Sequence, residues 1–94
     1  MPSTRFDIVA QADSQTLGRL INYFAQQGLV PNRFSAVVAG GSVKVRIEHP
    51  DLGEQQCRII AEKMRSAVIV EAVRVHRGGH LLMPLDGTTD GLSA

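Results

Sequence analysis

Tryptophan is missing from this chain of 94 residues, aromatic side chains make up only 4% of it, and there is a single cysteine. One thiol cannot close an intramolecular disulfide, which fits a reducing compartment. So few aromatics leave little with which to stack nucleobases. Net charge is also nearly absent, because ten basic side chains face nine acidic ones and leave a formal charge of +1. No bulk electrostatic field therefore draws nucleic acid or an anionic membrane. No apolar run approaches the roughly 18 residues of a membrane span, and the opening Met1-Pro-Ser-Thr-Arg-Phe lacks the apolar core of a secretory signal. A cytoplasmic protein is expected. The histidines His49, His76 and His80 have no ligand-like spacing, and no Cys-x-x-Cys is present, so no metal site is expected. Nor is there a nucleophile–base set, a carboxylate pair or a P-loop, so catalysis is not expected within this chain.

What the chain does have is clear periodicity, and a hydrophobic content of 44% that suffices for one domain with one core. Alternation predicts a first strand over 6–11, with Phe6, Ile8 and Ala10 on one face. A helix follows over 14–27, with Leu17, Leu20, Ile21 and Phe24 at helical spacing, Asp13 as N-cap and Gly28 as the left-handed stop. A second strand is expected over 33–39, with Pro31 better placed before it than inside it. Gly40-Gly41 marks a tight hairpin into a third strand, 42–48, where Val43, Val45 and Ile47 alternate with Lys44, Arg46 and Glu48. Asp51 with Glu54 predicts a capping box for a second helix running to about 65, burying Cys57, Ile60, Ala61 and Met64. On that face Cys57 reads as a small buried hydrophobe. The last strand, 70–76, turns Val73 and Val75 inward.

The order β-α-β-β-α-β predicts an α+β, ferredoxin-like sandwich: a four-stranded antiparallel sheet with two helices on one face. Residues 1–5 read as an extension, 6–77 as the domain and 78–94 as a disordered tail. RNA-recognition motifs share this element order, but the stretch from Val43 to Glu48 carries no aromatic for base stacking, and the parity of Phe6 and Phe34 fits the core. Lys44, Arg46 and Arg74 are expected to share the sheet face away from the helices, as a solvated or protein-docking surface.

Asp13-Ser-Gln-Thr16-Leu17-Gly18-Arg19, then Phe24 and Gly28, resembles the first strand–helix unit of ACT domains. Ile69-Val-Glu-Ala-Val-Arg-Val75 resembles their last strand. Within ACT domains the pattern is most similar to the short, single-domain regulatory subunits of acetolactate synthase. The resemblance implies a non-catalytic regulatory subunit in branched-chain amino-acid biosynthesis. It implies a homodimer with its sheets joined edge to edge, docked on a catalytic subunit that would carry thiamine diphosphate, FAD and Mg²⁺; this chain would hold no cofactor. By the same resemblance the effector site falls at Ala12, Asp13, Ser14, Gln15 and Thr16, with Val30 and Asn32 after the helix. Valine-responsive members have an Asn and a Gly in the turn and an Asn after the helix, where Ala12, Gln15 and Val30 stand here. Each lost polar partner costs roughly 1–3 kcal/mol in a buried site, so weak valine feedback, or none, is expected. The alternative is a free-standing ACT dimer that binds an amino acid or a related metabolite.

Overall fold

The computed structural model describes residues 3–50, 52–78 and 80–83. Its elements run β1 (Thr4–Gln11), α1 (Thr16–Gln26), β2 (Arg33–Ala39), β3 (Ser42–His49), α2 (Glu54–Ser66), β4 (Val70–Arg77) and β5 (His80–Met83). The sheet order is β2-β3-β1-β4-β5, with every neighbouring pair antiparallel. The first four strands and two helices are the expected ferredoxin-like α+β fold.

Alternation places the core as the sequence indicates. Phe6, Ile8 and Ala10 of β1 sit between Val43, Val45 and Ile47 of β3 and Val73 and Val75 of β4, all buried. From α2, Cys57, Ile60, Ala61 and Met64 close over them. The Phe6 and Phe24 rings meet edge to face, 5.2 Å between centroids, joining sheet to α1. Burial raises the Cys57 thiol above its ordinary pKa, so it stays neutral.

Four expectations need correction. Thr4 and Arg5 belong to β1 rather than to an extension, and Thr4 is fully buried. His80–Met83 forms β5 against β4, where the sequence reading had already placed a disordered tail. Four residues are too few for an alternating pattern to stand out from a tail; residues 84–94 lie outside the described residues. The cap of α2 is Gly53, with the Gln56 side chain accepting its N–H at 3.4 Å, while Asp51 lies outside the described residues. Leu52 sets this start: it is drawn into the core and, with Cys57, occupies the positions of a hydrophobic staple. Finally, only Leu20 and Phe24 of the apolar face expected for α1 are buried, with Leu17 and Ile21 left 40% and 39% exposed.

The two turns that needed glycine behave as expected. Gly40 (φ +63°) opens the two-residue hairpin turn. Gly28 (φ +72°) ends α1 in a Schellman motif: its N–H donates to the Ala25 carbonyl, and that of Leu29 to the Phe24 carbonyl. Among the described residues no helix is long and apolar enough to cross a membrane.

Candidate functional site

The turn between β1 and α1 is built by short backbone bonds. The Asp13 carboxylate accepts the Gln15 N–H at 2.8 Å, and its carbonyl accepts the Thr16 N–H. The helix therefore starts at Thr16, two residues later than the sequence pattern suggested, because Asp13 closes the preceding turn instead of the first helical turn. Thr16 is fully buried, and its hydroxyl donates to the Gln11 carbonyl at 2.8 Å. Ala12, Asp13, Ser14 and Gln15 are exposed. The Ala12 N–H donates to the Gly41 carbonyl, which ties this turn to the β2–β3 hairpin.

Val30 and Asn32 lie elsewhere. The Asn32 N–H donates to the Glu48 carbonyl, at the far end of β3 from Gly41. About six residues of strand separate the two ends, roughly 20 Å at about 3.3 Å per residue. The expected site residues thus form two groups at opposite ends of the sheet. Within one chain, only the 12–16 group is brought together.

A second region lies on the helix-free face. Asp7 stands at its centre, with Oδ1 2.9 Å from Arg46 Nε and Oδ2 3.1 Å from Arg5 Nε. Arg5 Nη2 lies 3.2 Å from Nδ1 of His76. Burial, and then the Arg5 charge, hold the His76 pKa below its ordinary value against the pull of Asp7, so the neutral ring accepts from Arg5. Beside this cluster is an open basin of about 470 Å³ over Val9 and Val37, bordered by Ser35, Lys44, Arg46 and Arg74. Lys44, Arg46 and Arg74 do share the helix-free face, as the strand parity required. Sequence reasoning missed Asp7, Arg5 and His76, although the same parity, carried to the first and last strands, would have placed them there.

A family model described as an ACT-like domain matches residues 2–82. The chain belongs to the ACT-like domain family. No curated protein matches it. Among solved structures, this ACT-like domain is similar to the solution structure of the C-terminal domain of the MgtC protein from Mycobacterium tuberculosis. The TM-score is 0.66 at 10% sequence identity, covering 85% of this chain and 90% of that one. At that identity the likeness concerns the fold. Val38, the register partner of buried Val43, lies on the helix side of the sheet yet is 67% exposed. Gln26, on one flank of α1, accepts a hydrogen bond from Lys63 of α2. Leu17 and Ile21, on the other flank, therefore face away from α2, toward the β2 edge. Val37 adds a 64% exposed side chain on the opposite face of the same strand.

Proposed function

We propose that this ACT-like domain is a non-catalytic regulatory module that works as a pair of copies joined through their β2 edges. The observation that carries the reading is the β2 margin: an unpaired edge strand, apolar on both faces, beside the uncovered Leu17 and Ile21. A bare apolar edge invites another strand, and β2 has few of the charges or prolines that blunt such edges. Antiparallel pairing of two β2 strands reverses their ends. The Val30 and Asn32 of one copy would then approach the Ala12–Gln15 turn of the other, completing a site for an amino acid or a related small molecule.

The finer reading is the regulatory subunit of acetolactate synthase, activating or stabilising a catalytic chain that carries thiamine diphosphate, FAD and Mg²⁺. Its support is the Thr16-Leu17-Gly18-Arg19 segment with its Gly28 stop, and it includes weak valine feedback or none. Sedimentation should show a dimer that Val38→Lys converts to a monomer, and co-purification from the native host should yield a thiamine-dependent large subunit. A monomer at micromolar concentration would refute the pairing. A stable dimer without that partner, stabilised by an amino acid, would favour a free-standing sensor.

A further inference from the structure

The helix-free face carries a surplus of positive charge that its own carboxylates do not neutralise. By strand parity Arg5, Arg33, Lys44, Arg46 and Arg74 all project there. Only Asp7 and Glu48 oppose them from regular strand positions. Both oxygens of Asp7 are engaged, one with Arg46 and one with Arg5, while Glu48 lies 3.7 Å from Arg33. Lys44 and Arg74 are exposed and have no hydrogen-bond or ion-pair partner among the described residues. They stand on the two strands that flank β1, Lys44 opposite Val9 and Arg74 opposite Asp7, and both line the basin floored by Val9 and Val37.

We propose that this face docks an acidic, amphipathic segment of a partner protein, with its carboxylates on Lys44 and Arg74 and its apolar side chains over Val9 and Val37. Three features select that occupant. Lys44 and Arg74 stand two strand spacings apart, roughly 10 Å at about 4.8 Å per strand, and are offset by two residues along the sheet. A compact anion could engage them only by drawing two long, freely rotating side chains together over Val9, whereas an extended segment meets each where it stands. The apolar floor calls for apolar groups between the partner's charges, which phosphate or citrate lacks. Phe6 and Phe34 take the core parity, so among the described residues the one aromatic ring on this face is His76, already engaged with Arg5, which leaves nucleobases little to stack on. Val37 lies on β2, the strand proposed to pair, whereas Val9, Lys44 and Arg74 lie on β1, β3 and β4, so the charged part of this surface is present whether or not two copies pair.

The test is a heteronuclear NMR titration of the full chain with a short synthetic peptide of glutamates interrupted by leucines. Its glutamine counterpart, citrate and a single-stranded oligonucleotide are titrated in parallel. The expected result is shifts at the Val9, Lys44 and Arg74 amides that weaken with salt and are absent with the glutamine peptide. Lys44→Glu with Arg74→Glu should weaken binding at least about tenfold. Arg58→Glu with Lys63→Glu, an equal charge change on α2, should leave it within about twofold. If the first pair unfolds, Lys44→Gln with Arg74→Gln replaces it. Equal losses in both pairs would overturn the proposal, as would shifts confined to another surface. So would citrate competing as well as the peptide, which would indicate a small-anion site, or tighter binding by the oligonucleotide.

Discussion

Thr16 belongs both to the family-like segment and to the candidate effector turn, and its surroundings allow the cost of changing it to be worked out. The side chain is wholly buried, and its hydroxyl donates to the Gln11 carbonyl at 2.8 Å. That carbonyl also accepts the Asp13 N–H at 2.9 Å, so it keeps a partner when the hydroxyl is removed. Thr16→Val should therefore cost only the net worth of one hydrogen bond, about 1 kcal/mol, without the added penalty of an orphaned buried acceptor. Thr16→Ser keeps the bond and loses one buried methyl, also about 1 kcal/mol. Thr16→Ala loses both, for about 2 kcal/mol. In a domain of this size each kilocalorie lowers Tm by roughly 4–8 °C. Urea unfolding followed by circular dichroism measures all three, with the midpoint falling at constant slope. If Thr16→Val matches the parent, or Thr16→Ala is no worse than either single loss, the hydroxyl does not hold the turn and the reasoning fails. Because the group is buried and points at Gln11, Thr16→Val should leave effector binding unchanged in the folded protein.

Two other changes test the local structure and the titration of the sheet face. A Cβ built on Gly28 meets nothing within 4 Å, so Gly28→Ala should cost only the left-handed backbone penalty, about 1 kcal/mol in urea, with Gly28→Asn cheaper. Burial and Arg5 depress the His76 pKa, so between its folded value and the ordinary 6.5 the unfolded chain binds more protons than the folded one. Stability is then unaffected at neutral pH and above, falls as pH drops through 6.5, and levels off below the folded value. His76→Gln should remove that acid-side slope, read from urea midpoints across pH.

Legibility in the sequence followed the strength of each physical signal. The core faces of β1, β3, β4 and α2 were readable because one buried face forces period 2 or 3.6, and every residue expected there is buried. Gly28 and Gly40 were readable because only glycine adopts those angles cheaply. The α1 face was read only in part, since periodicity gives the apolar stripe but not how far neighbouring elements cover it. Leu17 and Ile21 fit the same stripe as Leu20 and Phe24, yet α1 turns their flank toward an edge where the single chain offers no cover. β5 left no signal because a strand of four residues is too short for an alternating pattern to show. At the turn, sequence spacing suggested Asp13 as the helix cap. The competing side-chain bond to Gln15 two residues on, an Asx-turn, won locally and moved the start to Thr16.

The separation of the candidate effector residues follows from the connection between β1 and β2. That connection contains a helix of 11 residues, about 16 Å long at 1.5 Å per residue, which carries the chain from one end of the sheet to the other. Residues before the helix and residues after it cannot meet within one copy. If the effector needs both groups, the site exists only in the pair, and binding and pairing become linked equilibria. Dilution below the dimer dissociation constant should then weaken effector affinity, and saturating effector should tighten the dimer by the same factor. Val38→Lys, which alters no residue of the turn, should abolish effector binding together with pairing. Calorimetry at several protein concentrations, read beside sedimentation of the same samples, measures both sides of that linkage. An effector that binds the Val38→Lys monomer with parental affinity would show that the 12–15 turn suffices alone and that Val30 and Asn32 have no part in the site.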